Sequence, residues 1–284
     1  MKKMFIYSLL LATILVACHR VPLSNRSQFL LVSDSEMNAM AFSSYKEFLD
    51  TSSVVSASDP STIMVKRVGD NIANAAKNYF ASIGHSEYLN GYQFQTELIK
   101  SNQVNAWCMP GGKMVVYTGI LPVCSTEAGL AVVMGHEVSH AIAKHGAERM
   151  SQGMLAQGLL TAGQIGLGIA MQSKPQATQN LWNNVYGLAM PIGAQLGMMA
   201  HGRNQESEAD HLGLIFMSMA GYNPSEAPEF WKRMAAKSGG GAKPPVWLST
   251  HPSDESRIAN INKLMPEAQK YFGKGVKRGT MTVK

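Results

Sequence analysis

The sequence predicts an α+β fold that is mainly helical, with a small β-sheet beside one buried helix. Small and apolar residues recur every three or four positions over residues 33–50, 62–83 and 126–150. This spacing is typical of helices that bury one face. Three of the predicted elements are therefore helices, and the third of them contains the most informative motif of the chain.

The predicted sheet is short and precedes that motif. Residues 92–100 alternate apolar and polar side chains, as half-buried strands do. Residues 104–109 and Met114 to Tyr117 flank a Pro-Gly-Gly turn at 110–112, which indicates two further strands.

Residues 136–140 are His-Glu-Val-Ser-His. A helix turns about 100° per residue, so His136 and His140 lie about 40° apart and can direct imidazole nitrogens at one metal ion. Glu137 lies about 60° from His140, where its carboxylate can act as a general base on a water molecule. The alternative is a surface helix with two solvated histidines. The apolar run at 129–134 favours a buried helix and hence a zinc site.

A catalytic zinc site commonly has three protein ligands and one open position, so a further ligand is required. Between Glu148 and His201 the sequence has no Asp, Glu, His or Cys. This excludes a ligand about twenty residues downstream of the motif, as in thermolysin-like enzymes. A third histidine six residues after His140 is also absent, because position 146 is glycine.

Residues 203–211 form the next acidic cluster and lead into an apolar run, which predicts a second buried helix. Glu206 and Asp210 lie one turn apart on one face. Glu206 is therefore the predicted third ligand, and Asp210 is predicted to accept a hydrogen bond from a metal-bound histidine. Glu208 points about 200° away from Glu206 and is predicted to be solvated.

Three other histidines are weaker candidates for metal contact. His145 lies about 180° from His136 round a continuous helix, so it is predicted to be a surface residue or a hydrogen-bond partner behind a ligand. His201 lies two residues before the acidic cluster, and His211 is its last residue.

These motifs resemble the BepA/LoiP-like bacterial zinc peptidases, which are relatives of HtpX and of the CAAX prenyl protease. Besides the two helix motifs, the resemblance includes Asn-Ala at 105–106, Pro-Gly-Gly at 110–112 and Tyr-Thr-Gly at 117–119. The motifs occur in the family's order, and the resemblance covers residues 27–272.

The resemblance implies a zincin-like metalloendopeptidase of the gluzincin type that binds one zinc ion per chain. It implies zinc ligation by His136, His140 and Glu206, with Glu137 as catalytic acid and base. In such peptidases an edge strand beside the metal binds extended substrate by backbone pairing. The strand from Met114 to Tyr117, or its neighbour, is the candidate.

The resemblance also draws attention to Thr-His-Pro-Ser at 250–253 and to Arg257. In BepA-like proteins the matching histidine can occupy the fourth metal position and hold the enzyme inactive, and a neutral imidazole is a competent zinc ligand. His251 is thus a predicted regulatory switch, and Arg257 is predicted to lie near the site. Either residue could stabilise negative charge on the scissile carbonyl. A His-Pro turn before a helix capped by Ser253 or Asp254 is a compatible alternative.

Residues 1–17 are predicted to be a signal peptide, because two lysines precede an apolar run. Residues 15–18 (Leu-Val-Ala-Cys) match the bacterial lipobox, so Cys18 is predicted to carry a lipid. Ordinary cleavage and an uncleaved anchor are the alternatives. In a Gram-negative host, His19 after the cysteine favours the outer membrane, facing the periplasm.

Residues 18–284 are long enough to bury a large core and are predicted to form one catalytic domain. The formal net charge of +6 falls to +4 when Lys2 and Lys3 leave with the signal peptide. This balance does not indicate a nucleic-acid partner. The basic tail at 274–284 is predicted to be solvated, with anionic lipid as an alternative contact.

Two cysteines remain if Cys18 is lipidated. In an oxidising compartment Cys108 and Cys124 could form a disulfide. A pair of free buried thiols is the alternative.

Residues 153–200 contain many Gly, Met, Ala and Gln residues and no acidic residue. They are predicted to form a helical cover of the active-site cleft, with plain core packing as the alternative. Residues 154–171 raise the possibility of a membrane span, which their glutamines and glycines weaken. Three glycines at 239–241 predict that residues 239–257 form a mobile loop carrying His251.

Taken together, these features predict a zinc-dependent metalloendopeptidase that hydrolyses peptide bonds in unfolded or misfolded cell-envelope proteins. The first alternative is a chaperone or assembly factor for outer-membrane proteins with latent protease activity. The second is a zinc hydrolase that acts on another bond, but no motif for a small-molecule pocket accompanies the metal motif.

Overall fold

The computed structural model describes most of the chain between Cys18 and Lys274. The described residues are 18–22, 24–172, 176, 202–238, 245–251, 255–272 and 274. The predicted signal peptide, His201, the 239–241 glycines and almost all of the basic tail lie outside them.

The described residues form two compact units. The first contains residues 18–21, 25–32 and the described part of 146–205. The second contains residues 33–145, the described part of 206–274, and residues 22 and 24. The single catalytic domain stays a prediction.

Strands and helices are grouped along the chain: a two-stranded hairpin and two helices precede three short strands, and the remaining elements are helices. Such grouping is typical of an α+β fold. In chain order, the α-helices of the described residues are α1 (Asp34–Asp50), α2 (Pro60–Ser82), α3 (Leu121–Cys124), α4 (Glu127–Ile142), α5 (His145–Met171), α6 (residues 202–219), α7 (Glu226–Ser238), α8 (Val246–Thr250) and α9 (Glu255–Phe272). The strands are β1 (Cys18–Arg20), β2 (Ser27–Phe29), β3 (Gln95–Ile99), β4 (Ala106–Met109) and β5 (Lys113–Tyr117). The predicted fold class is confirmed.

The first unit combines a β-hairpin with most of α5. Strands β1 and β2 pair antiparallel, with Cys18 opposite Phe29. Arg26 donates to both carboxylate oxygens of buried Glu148 at 2.8 Å, which ties the hairpin to α5. Residues 153–171 are helical, as predicted. The rest of the predicted cover lies almost entirely outside the described residues, and no described helix is long and apolar enough to cross a membrane.

The second unit contains a three-stranded sheet with the order β3-β5-β4. Strand β3 runs parallel to β5, and β4 runs antiparallel to it. Helix α2 packs against β3, and α4 packs against β4. Gly69 of α2 allows the close approach, because a Cβ there would collide with the Thr96 side chain of β3.

Capping residues set the starts of the helices. Ser33 forms a capping box with Glu36 at the start of α1, and Asp59 caps α2 just before a proline at its first position. These are strong helix-start signals. The helices predicted at 33–50 and 62–83 are confirmed within two residues.

The helix predicted over 126–150 is wrong in one respect, because it is interrupted. Helix α4 ends at Ile142, Lys144 adopts a φ of 56°, and α5 begins at His145. A left-handed residue cannot continue a right-handed helix. The break changes the direction in which His145 points, with consequences for the site below.

Helices α4 and α6 cross at a pair of glycines. A Cβ on Gly135 would lie 2.9 Å from the Gly213 carbonyl oxygen, and a Cβ on Gly213 would lie 2.9 Å from the His136 nitrogen. Any larger residue would separate the two backbones. This crossing brings the motif of α4 next to the acidic residues at the start of α6.

Candidate metal centre

Every residue of α4 is buried. His136 is 2% exposed, Glu137 4% and His140 6%. The alternative of a surface helix with two solvated histidines is therefore wrong. Buried polar side chains require partners, and these come from α6, α8 and α9 and from His145 at the start of α5.

The three predicted ligands converge on one point. The Nε2 atoms of His136 and His140 are 3.0 Å apart. The Glu206 carboxylate oxygens lie 3.4 Å from His136 Nε2 and 3.2 Å from His140 Nε2. With His251, these residues each offer one ligand atom within 4.8 Å of the others.

This donor set fits zinc on chemical grounds, since imidazole and carboxylate groups are its usual ligands. His136 Nδ1 lies 3.0 Å from Asp210 Oδ1, where it donates a hydrogen bond to the carboxylate. A neutral His136 then has a lone pair on Nε2, which faces the other ligand atoms. A cation bound between these atoms would accept the lone pairs that point towards each other.

The electrostatics also favour positive charge at this point. Burial alone would lower the pKa of His136, but Asp210 and Glu206 together raise it to about 9. Burial alone would raise the pKa of the Glu206 carboxyl, but hydrogen bonds from His136, His140 and His251 hold it well below its usual range. Burial and the neighbouring His136 lower the pKa of His140.

Asp210 and Arg257 form a buried pair behind His136. Arg257 donates from Nε and one terminal nitrogen to the two Asp210 oxygens, both at 2.7 Å. Its other terminal nitrogen lies 3.1 Å from Glu206 Oε2, and its guanidinium stacks 3.6 Å from the Trp231 ring centroid. Of the two histidines that Asp210 was predicted to contact, the structure places it against His136.

His251 reaches the centre of the site from the end of α8. Its Nδ1 lies 3.0 Å from Glu206 Oε2 and 3.2 Å from His136 Nε2. Its Nε2 lies 3.4 Å from Glu137 Oε1. The structure therefore brings His251 and Arg257 together with the predicted ligands.

Trp247 is a site residue that the sequence interpretation missed. Its indole N–H donates to Glu137 Oε1 at 2.6 Å, and the side chain is fully buried. It stacks on Trp231 with ring centroids 5.0 Å apart. Trp247 lies four residues before His251, which places both side chains on one face of a helical turn. This spacing could have identified Trp247 as a site residue.

The prediction that Glu208 is solvated is wrong. Glu208 is 6% exposed, and its Oε2 lies 2.8 Å from His145 Nε2. The break after α4 turns His145 inward, where it is fully buried and its Nδ1 lies 2.7 Å from His140 Nδ1. Of the two predictions for His145, the hydrogen-bond partner is confirmed and the surface residue is wrong. His211 pairs instead with Glu267 at 2.8 Å, away from the ligands.

The strand predicted to bind substrate lies in the middle of its sheet. Strand β5, which contains Met114 to Tyr117, pairs with β3 on one side and β4 on the other. Its hydrogen-bonding edges are therefore occupied by neighbouring strands. The neighbour β4, at the edge beside α4, is the strand that remains a candidate.

Cys108 and Cys124 are both free, and Cys108 is only partly buried, so the alternative of free buried thiols is confirmed in full only for Cys124. Cys124 is fully buried, and burial raises its pKa to about 12. Burial also raises the pKa of Cys108. Both thiols are poor nucleophiles at neutral pH.

A His-Glu-x-x-His motif on one helix, with a glutamate from a second helix beside it, defines the gluzincin class of zinc metallopeptidases. Residues 67–265 match the family model of peptidase family M48. The chain belongs to that family. It is a metalloendopeptidase that uses zinc as its cofactor.

Curated relatives support the same family. The chain is 34% identical over 251 residues to the mitochondrial metalloendopeptidase OMA1 of Schizosaccharomyces pombe, covering 88% of this chain and 67% of that protein. It is 25% identical to human OMA1, covering 88% and 46%. It is 30% identical over 168 residues to the beta-barrel assembly-enhancing protease of Yersinia pestis, covering 59% and 33%.

These matches confirm the predicted resemblance at the level of family M48. The finer assignment to the BepA/LoiP-like bacterial group is one possibility. OMA1 of Schizosaccharomyces pombe matches at higher identity and over more of the chain than the Yersinia protease does.

Proposed function

We propose that this metalloendopeptidase cleaves unfolded or misfolded proteins of the bacterial cell envelope. The observation that carries the proposal is the convergence of His136, His140, Glu206 and His251 within 4.8 Å, with Glu137 beside them. The name of the Yersinia pestis relative, a beta-barrel assembly-enhancing protease, supports an envelope substrate.

His136, His140 and Glu206 would hold the zinc ion. When bound, zinc supplies a Lewis acid that polarises the scissile carbonyl. Glu137 is the general base, which takes a proton from the attacking water and passes it to the leaving amine. Its burial in α4 keeps the carboxylate fixed beside the ligands.

Asp210 and Arg257 orient the ligands. Asp210 fixes His136 through Nδ1, and Arg257 bridges Asp210 and Glu206. Because the guanidinium of Arg257 is bound to these two carboxylates, we assign Arg257 the role of holding Asp210 and Glu206 in place.

The α8 segment keeps the enzyme latent in the arrangement seen here. His251 lies among the ligand atoms, and Trp247 donates its indole N–H to the base Glu137. A substrate carbonyl and its attacking water need the same space. Activation therefore requires His251 to move away from Glu206.

Extended substrate pairs with β4. This strand lies at the edge of the sheet next to the motif helix α4. Main-chain pairing along an edge strand recognises unfolded polypeptide without a strict sequence requirement.

The test is cleavage of casein and of an unfolded outer-membrane protein by the full-length protein purified in detergent. We expect cleavage that a zinc chelator abolishes and that zinc restores. Glu137→Gln, which leaves the three ligands intact, is the control. Zinc binding without cleavage of either substrate would refute the proposed substrate class.

A chaperone or assembly factor is the second candidate, favoured by the words "assembly-enhancing" in the name of the Yersinia relative. The two candidates differ in Glu137→Gln. If this variant still prevents aggregation of the unfolded outer-membrane protein as wild type does, binding is a separate function. If protection disappears with cleavage, the peptidase accounts for both effects.

We also propose that Cys18 carries a lipid that anchors the protein to the outer membrane, facing the periplasm. Metabolic labelling with an alkyne fatty acid in a Gram-negative host tests this directly. We expect label in wild type and none in Cys18→Ser. Wild-type protein that is unlabelled and has another N-terminus would exclude the anchor.

A further inference from the structure

A buried hydrogen-bonded chain lies behind His140, and the catalytic roles above do not use it. His140 Nδ1 faces His145 Nδ1 at 2.7 Å, and His145 Nε2 faces Glu208 Oε2 at 2.8 Å. The other Glu208 oxygen accepts a hydrogen bond from the Ser24 hydroxyl. His145 is fully buried and Glu208 is 6% exposed.

The chemistry of these groups determines where the hydrogens lie. A carboxylate only accepts hydrogen bonds, so His145 carries a hydrogen on Nε2 and donates it to Glu208. The Nδ1 atom of a neutral His145 is then an acceptor. His140 must therefore donate from its own Nδ1, and its Nε2 keeps a lone pair directed at Glu206 and His136.

The two ligand histidines thus obtain the same tautomer by different routes. His136 donates from Nδ1 directly to Asp210. His140 donates from Nδ1 to a second imidazole, which donates onward to Glu208. If His145 held its hydrogen on Nδ1 instead, His140 would have to accept there, and its Nε2 would carry a hydrogen towards the metal.

We propose that His145 is a positioning residue that fixes the metal-binding tautomer of His140, with Glu208 as the carboxylate that fixes His145. The inference rests on the proposed ligand set. It adds two residues that lie behind a ligand and do not contact the metal. Loss of such partners behind a ligand typically lowers metal affinity about 10–100-fold.

The first test measures zinc affinity of the full chain by competition with a chromophoric chelator. His145→Phe fills the same space without a donor or acceptor, and we expect it to bind zinc about 10–100-fold more weakly. His145→Gln has an amide that can accept from His140 and donate to Glu208, so we expect it to recover most of the affinity. His211→Phe is the matched control, because that histidine also pairs with a glutamate but lies away from the ligands.

The outcomes distinguish the role of His145 from the proposed ligand set and from the proposed peptidase. Equal losses in His145→Phe and His145→Gln would show that His145 acts by packing, which overturns the proposal. Wild-type affinity in a folded His145→Phe overturns it too, while leaving the proposed peptidase intact. A wild-type protein that binds no zinc would overturn the ligand set itself. If His145→Phe does not fold, His145→Gln is compared with Glu208→Leu, with affinity retained in the first and lowered in the second.

A second measurement reads the tautomers directly. Nitrogen-15 NMR of the zinc-loaded, histidine-labelled protein distinguishes protonated from unprotonated ring nitrogens. We expect His145 to carry its hydrogen on Nε2 and His140 on Nδ1. A zinc-loaded protein with the hydrogen of His145 on Nδ1 contradicts the proposal.

Discussion

The α4–α6 crossing and the α8 segment meet at the same metal site but are built differently. The crossing is a close backbone contact at Gly135 and Gly213, and it places residues from two helices that are buried over most of their described length. Helix α8 has five residues, and two side chains of this segment reach the site: Trp247 within the helix and His251 directly after it. The difference separates two tasks, because the packed crossing positions the proposed ligands and the short segment places two further side chains against them.

The largest effect is expected from Glu137, the proposed general base, which lies on α4 at the crossing. Glu137→Gln removes the proton acceptor but keeps all three proposed ligands, so we expect turnover to fall about 10²–10⁴-fold. Zinc content, measured on the same sample by atomic emission, should remain at one ion per chain. A variant that loses zinc together with activity would show that Glu137 is a ligand.

A larger side chain at the α4–α6 crossing should destabilise the fold. Gly135→Val places a branched side chain against the Gly213 backbone, and we expect a loss of about 1–3 kcal/mol in the free energy of unfolding, with weaker zinc binding. Gly146→Ala is the control, because a Cβ there has no neighbour within 4 Å. Urea unfolding measures both variants. An unchanged midpoint for Gly135→Val would mean that the helices can separate freely.

A change in the α8 segment should act in the opposite direction. His251→Ala removes the side chain that lies among the ligand atoms, and we expect initial rates of casein cleavage to rise about fivefold, as the loss of a hydrogen bond worth about 1 kcal/mol would allow. Zinc affinity should stay close to wild type. A rate that falls instead would show that His251 acts in catalysis more than in latency.

The smallest effect is expected from Trp247→Phe. The ring still packs on Trp231, but the N–H that engages Glu137 is gone. We expect a rise of about twofold in initial rate, as the loss of about 0.5 kcal/mol, the low end of the net contribution of a hydrogen bond, would allow. Comparing it with the double variant Trp247→Phe/His251→Ala tests whether the two side chains act as one device. Purely additive effects would argue that they act separately.

Much of the site could be predicted from spacing. His136, Glu137 and His140 follow from helix geometry. Glu206 follows because residues 149–200 contain no Asp, Glu, His or Cys and because Glu206 shares a helix face with Asp210. His251 required the resemblance to a family. A residue so distant along the chain has no periodic relation to the motif.

The errors have a common cause. The helix was extended through Lys144, whose left-handed backbone follows from tertiary context and not from local propensity. That single turn brings His145 inward, and it also explains why Glu208 is buried on a face predicted to be solvated. Trp247 was missed for a similar reason, since its partner Glu137 lies 110 residues away.

The most direct test of the central claim is a crystal structure of the zinc-loaded protein with data collected on both sides of the zinc absorption edge. The account predicts one anomalous peak within about 2.0–2.2 Å of His136 Nε2, His140 Nε2 and a Glu206 oxygen. It also predicts Asp210 and His145 at the two Nδ1 atoms. A zinc ion held by other residues, or a folded protein that stays empty in excess zinc, would contradict it.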